Sequence, residues 1–132
     1  MRVTIADCDV DLTQSLSAEF TAHGHEVQTA SNSRQCLASL SEFIPDVLVL
    51  EGNLPDGGCE QVLKGMTEKP AVSHIPVIIL PASESAPFSG LRYHNVVAWL
   101  RKPFQFDDLN DRIHTAVHST EPSIRSLSQH VP

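Results

Sequence analysis

No apolar run in this chain approaches the ~18 consecutive residues that a membrane-spanning helix needs, so the sequence holds no transmembrane candidate. The first residues, Met1-Arg2-Val3-Thr4-Ile5-Ala6, enter a strand-like segment directly. They lack the charged start, apolar stretch and cleavage pattern of a secretory signal, and a cytoplasmic location is the default expectation. Basic residues are also scarce. Nine Lys and Arg stand against 16 Asp and Glu, a net charge of −7 with histidines neutral. A nucleic-acid surface is basic, so neither direct nucleic-acid binding nor adsorption to anionic membranes is expected. The three cysteines, Cys8, Cys36 and Cys59, form neither an even disulfide set nor a C-x-x-C pair, and are expected as reduced thiols. What the chain has in supply is apolar residue, 41% over 132 positions, enough for one domain with a single packed interior.

Periodicity divides that apolar content into alternating elements. Val3 to Ala6 is a short apolar run closed by Asp7-Cys8-Asp9. Leu12, Leu16 and Phe20 then recur at four-residue spacing, one face of an amphipathic helix. Asp9 or Asp11 can cap its start and Gly24 its end. Glu26 to Ala30 reads as a second strand. Ser31 or Ser33 is the expected cap of a second helix carrying Cys36, Leu37, Leu40 and Phe43, which ends before Pro45. Val47 to Leu50 is an unbroken apolar run, as for a central strand covered on both faces.

A Pro55-Asp56-Gly57 turn comes next, then a third helix marked by Val62, Leu63 and Met66, and a fourth strand from Pro76 to Leu80. Over residues 82–95, Pro87 and Gly90 predict a short or distorted fourth helix. Val97 to Leu100 is the expected fifth strand. Asp107 and Asp108 suit the first turn of a last helix, whose buried stripe is Leu109, Ile113, Ala116 and Val117. Residues 119–132, polar, Ser-rich and bounded by prolines, are expected as a flexible tail or linker beyond a domain of residues 1–118.

Five strand–helix alternations imply an α/β fold, a doubly wound parallel sheet with helices on both faces. The flavodoxin-like order 2-1-3-4-5 is expected. Its switch point lies between strands 1 and 3, and it brings Asp7-Cys8-Asp9 beside Glu51 at the end of strand 3. A carboxylate at the C-terminal end of a central parallel strand stands where such sheets bind ligands. No Gly-rich phosphate loop succeeds the first strand, which counts against a nucleotide or flavin there.

With these signals in order, the chain resembles the bacterial response-regulator receiver domain. The resemblance covers residues 2–118. It rests on the acidic cluster after strand 1, Leu54-Pro55-Asp56-Gly57 after strand 3, Ile75-Pro76-Val77-Ile78 in strand 4 and Lys102-Pro103-Phe104 after strand 5. It implies two-component signalling, in which a strand-3 aspartate takes a phosphoryl group with Mg²⁺ held by acidic residues. A Thr or Ser after strand 4 and a Lys after strand 5 bind the phosphoryl oxygens, and an aromatic residue on strand 5 changes rotamer. Carried across, Asp7 matches the first acidic position, with Asp9 also in the acidic pocket, and Lys102 matches the lysine. Cys8 stands at the second acidic position, Glu51 at the phosphoacceptor, Pro81 at the Thr/Ser position and Trp99 at the aromatic switch.

The departures have physical costs. Mg²⁺ prefers octahedral oxygen ligands, and a sulfur substitutes poorly. Asp7, Asp9, Glu51 and the Asn53 carbonyl remain as candidate ligands of a weakened Mg²⁺ site; no other cofactor is expected. Pro81 has neither hydroxyl nor N–H to offer a phosphoryl oxygen. The extra methylene of Glu51 moves its carboxylate out of line, in chemistry where positioning supplies most of the catalysis. Glu51 can pair with Lys102 instead, and Asp7, Asp9, Glu51 and Lys102 also read as a structural ion-pair cluster. A thiol near Lys102 would have a lowered pKa, whereas the carboxylates push Cys8 the other way.

The expected function is therefore that of an atypical receiver, a pseudo-receiver that works by protein–protein interaction without aspartyl phosphorylation and is not an enzyme. Its expected partners are a histidine kinase, an effector domain or another receiver, a homodimer included. They would dock on the face of the expected fourth helix, fifth strand and fifth helix. A phosphorylatable receiver that tolerates the altered site, and a flavodoxin-like module holding a small ligand at the same switch point, are the other two readings. Two histidine patterns stay outside this scheme. His114 and His118 have the four-residue spacing of a helical metal pair, but no third ligand is visible in the sequence and a solvated helix face explains them. His23-Gly24-His25 reads as a helix stop.

Overall fold

Strand pleating sends alternate side chains to opposite faces, and here both faces are buried. On β3 (Val47–Glu51), Leu48 and Leu50 enter one apolar cluster while Val47 and Val49 enter the other. The computed structural model describes residues 1–81 and 93–119. Within them the remaining elements are β1 (Arg2–Ala6), α1 (Val10–Ala22), β2 (Glu26–Ala30), α2 (Ser33–Glu42), α3 (Gly58–Thr67), β4 (Val77–Leu80), β5 (Val96–Trp99) and α4 (Phe106–Ser119). The five strands form one parallel sheet in the order β2-β1-β3-β4-β5. This is the expected flavodoxin-like arrangement.

The helices divide between the faces as right-handed crossovers require. Leu16 and Phe20 of α1 pack with Leu109, Ile113 and Ala116 of α4 on one side. Cys36 and Leu40 of α2 pack with Cys59, Val62, Leu63 and Met66 of α3 on the other. Each fully buried side chain of this kind stabilises by ~1.5–3 kcal/mol, so the two layers together hold the strand ends in place. All strands run the same way, and their C-terminal ends share one rim.

Three expectations change in detail. The cap of α2 is Asn32, not Ser31 or Ser33. Its carboxamide oxygen accepts from Gln35 N–H at 2.8 Å, while Ser33, inside the helix, donates its hydroxyl to the Gly58 carbonyl at 2.8 Å and ties α2 to α3. β5 runs from Val96 to Trp99, one residue early, because Val97 is an extra residue between the Val77–Val96 and Ile78–Ala98 pairs. Such a bulge shifts the pairing phase of the rest of the strand. Phe43 ends α2 as its C-cap. By contrast α1 starts and stops as read: Asp9 caps it, and Gly24, at φ +88°, closes it with Gly24 N–H to Thr21 O and His25 N–H to Phe20 O. That pairing is a Schellman stop.

The short or distorted helix expected over residues 82–95 lies largely outside the described residues, so α4 here is the fifth helix of the sequence reading. The tail expected from residue 119 also lies outside them, except that Ser119 ends α4.

Candidate functional site

The segments that leave β1, β3 and β5 at the C-terminal rim of the sheet carry its charged residues. β1 delivers Asp7, whose carboxylate is shut off from solvent although its partner Lys102 keeps 31% of its side chain exposed. The chain then turns sharply into α1. Asp7 Oδ1 accepts the Asp9 N–H at 2.9 Å, and Asp9 Oδ1 accepts the Leu12 N–H at 3.1 Å. This second bond spends Asp9 on the start of the helix. β3 ends on Glu51, and the turn after it places Asp56, Gly57 and Gly58 at positive φ. A Cβ on Gly57 would come within 2.9 Å of Gln61 Cβ, so only glycine fits there.

The charges converge on Lys102, which lies just beyond β5. Its Nζ lies 2.7 Å from Asp7 Oδ2 and 3.5 Å from Glu51 Oε2. The other oxygen of Glu51 accepts the main-chain N–H of Cys8 at 3.0 Å. Glu51 thus bridges β3 to the turn after β1, with an oxygen on each of two donors. The extra methylene that a glutamate has over an aspartate supplies the reach. Donor atoms of Asp7, Cys8 and Glu51 all lie within 4.8 Å of one another.

Electrostatics reflect this geometry. Burial pushes the Asp7 carboxyl up, and Lys102 and the Asp9 N–H only partly offset it. Burial pushes Glu51 up too, but the Cys8 N–H and thiol and the Lys102 ammonium outweigh it and hold Glu51 below its ordinary range. Burial lowers Lys102, and the two carboxylates more than restore it, leaving a firmly charged ammonium. The Cys8 thiol is raised, first by its hydrogen bond to Glu51 and then by burial and the charges of Glu51 and Asp7. Of the two opposing effects expected on Cys8, the carboxylates prevail.

The other site positions are more peripheral. Asn53 is exposed in the β3–α3 turn, and Pro81, next after β4, is half-buried. Trp99 ends β5 half-buried, and its carbonyl accepts from Arg112 Nε at 3.2 Å. Sequence reasoning weighed Cys8 only by its sulfur. The group that grips Glu51 is its main-chain N–H, and no residue-type pattern marks a backbone donor.

The response regulator receiver domain family model matches residues 3–114. The regulatory protein AtoC of Escherichia coli is 26% identical over 130 residues, which is 97% of this chain and 28% of AtoC. The chain spans between 50% and 56% of several transcriptional regulatory proteins that it also matches. Among solved structures, the receiver domain of the Francisella response regulator 1452 aligns with a TM-score of 0.78 and 26% identity, covering 91% of this chain and 98% of that one. The receiver domain of the Pseudomonas aeruginosa sensor histidine kinase PA1611, with a magnesium ion in its active-site cleft, aligns at 0.77 and 16% identity over 89% of this chain and 98% of that one. Sheet order, rim chemistry and a match over most of the length agree: the chain belongs to the response regulator receiver domain family of two-component signalling.

Proposed function

We propose that this receiver is a pseudo-receiver, a signalling module that operates through protein partners without phosphorylation at position 51. The observation that carries the reading is the engagement of Glu51, held by Cys8 N–H at 3.0 Å and by Lys102 at 3.5 Å. A nucleophile needs a free oxygen in line with the incoming phosphorus, and both oxygens here have donors. Pro81 adds no donor for a phosphoryl group.

Receiver domains bind Mg²⁺ in this cleft, and the donor set of this chain suits that ion poorly. Asp9 is spent on the α1 cap and Cys8 offers sulfur. Asp7 and Glu51 already face an ammonium, leaving the Asn53 carbonyl as the remaining oxygen. An ion that wants six oxygens at ~2.0–2.1 Å would have to displace these contacts, which supports a weakened Mg²⁺ site.

Receiver domains interact with histidine kinases and effector domains. For this chain the docking face is assigned to β5 and α4. Among the described residues β5 is an edge strand with Val97 41% exposed, and an unpaired edge with apolar side chains favours a protein partner. The test is an amide NMR titration with Mg²⁺ and acetyl phosphate. Resonances of residues 51–58 and 96–102 are expected to stay in place. Saturable, donor-dependent shifts in both segments would return the domain to the phosphorylatable class.

A further inference from the structure

The residues that make the receiver cleft a poor home for Mg²⁺ supply it with a different set of donors. Asp7, Cys8 and Glu51 each offer one ligand atom, and those three atoms lie within 4.8 Å of one another. Asp7 is fully buried at the bottom of the cleft, Glu51 is half-buried, and Cys8 is exposed at its mouth. Among the described residues Asp7 Oδ2 makes no hydrogen bond and meets only the Lys102 ammonium, at 2.7 Å, so it keeps a lone pair open. The Cys8 sulfur already faces the Glu51 carboxylate, with the thiol hydrogen between them. Asp9 is held on the α1 cap and takes no part.

We propose, on the reading of this pocket as unsuited to Mg²⁺, that Asp7, Cys8 and Glu51 form a site for a thiophilic divalent ion, Zn²⁺ or Cd²⁺. Thiolate sulfur selects Zn²⁺ and softer ions, whereas Mg²⁺ takes oxygen. Zn²⁺ accepts Cys sulfur and carboxylate oxygen together, commonly as three protein ligands with water in the fourth position. Mg²⁺ needs a fuller octahedral shell of oxygens. Charge balances as well. Asp7 and Glu51 bring two negative charges, Lys102 returns one positive, and a Cys8 thiolate restores a net of two negative charges to face a divalent ion. On binding, the thiol releases its proton to solvent, and the ion takes the place of that proton between the sulfur and the Glu51 carboxylate. The Cys8 N–H and Lys102 keep their contacts with Glu51, since each carboxylate oxygen has a second lone pair. An ion held there would tie the β1–α1 turn to the end of β3, across the switch point of the sheet.

The test is a calorimetric titration of the whole reduced chain with ZnCl₂, with and without excess MgCl₂, paired with ultraviolet spectra during a CdCl₂ titration. One Zn²⁺ per chain is expected, undiminished by MgCl₂, and Cd²⁺ is expected to raise a sulfur-to-metal charge-transfer band. Cys8 is exposed, so its replacement leaves the core untouched. Cys8→Ser is expected to abolish the band and to weaken Zn²⁺ binding by more than the ~10–100-fold that loss of an outer-shell partner costs. Cys8→Asp is expected to narrow the preference for Zn²⁺ over Mg²⁺. Joint replacement His114→Asn with His118→Asn is expected to leave both readouts unchanged. Loss of Zn²⁺ binding in that double variant, or a band that survives Cys8→Ser, would put the ion elsewhere and overturn the proposal. Failure of both Zn²⁺ and Cd²⁺ to bind would overturn it and leave the reading of a Mg²⁺-poor pocket standing. Displacement of Zn²⁺ by MgCl₂ would overturn both.

Discussion

Replacing Lys102 by methionine isolates the contact on which the rim depends. The variant keeps most of the stem and removes the ammonium that faces the solvent-inaccessible Asp7 carboxylate at 2.7 Å and Glu51 at 3.5 Å. Removing one member of a buried pair costs ~3–5 kcal/mol. Lys102 keeps 31% of its side chain exposed, and water at that end softens the loss, so we expect about 2–3 kcal/mol. A ceiling comes from Asp7 itself, which can take up a proton. From its ordinary 3.8 to pH 7, at ~1.36 kcal/mol per pKa unit, that escape costs at most about 4.4 kcal/mol.

The pH dependence has a definite sign. The folded pKa of Asp7 is already above its unfolded value, and loss of Lys102 raises it further. A folded carboxyl with a raised pKa binds more protons than the unfolded one, so its contribution is favourable at low pH and is lost as pH rises through the window. The destabilisation of Lys102→Met is therefore larger at pH 7 than at pH 5. Urea unfolding at the two pH values measures it, and the pH 7 difference corresponds to roughly 8–12 °C in Tm for a chain of this length. A loss below ~0.5 kcal/mol, equal at both pH values, is what an exposed pair gives and would show that Asp7 does not depend on Lys102.

Two further predictions concern the turn after β1. Glu51→Gln is expected to lower the Cys8 thiol pKa toward its ordinary 9.0, since the hydrogen bond from Cys8 to Glu51 is the largest cause of its rise. The pH–rate profile of alkylation reports this with little background, because burial pushes Cys36 up to about 12 and raises Cys59; an unchanged midpoint would contradict the assignment. Asp9→Ala is expected to cost ~1 kcal/mol in urea unfolding through loss of the α1 cap, while Asp9→Asn stays near the native value. Equal losses in both variants would mean that the charge of Asp9, not its cap, matters.

The sheet order was legible because each strand is a short apolar run between turn residues, and few topologies join five such runs in parallel. Glu51 and Asp7 were legible for the same reason, since strand ends in a parallel sheet share a rim. Asn32 was not. Three consecutive residues, Ser31, Asn32 and Ser33, can all cap a helix, and the choice fell to the tertiary bond that Ser33 makes with Gly58. The start of β5 was displaced by the bulge at Val97, which apolar patterning does not reveal. The Cys8 N–H escaped because main-chain donors carry no residue signature.

The proposed pseudo-receiver role requires that the Glu51 carboxylate, engaged by Cys8 N–H and Lys102, accepts no phosphoryl group. The decisive measurement is the intact mass of the native chain after incubation with Mg²⁺ and acetyl phosphate, with Glu51→Asp alongside. The native chain is expected to keep its mass unchanged. A gain of one phosphate on the native chain, mapped to Glu51, would contradict it.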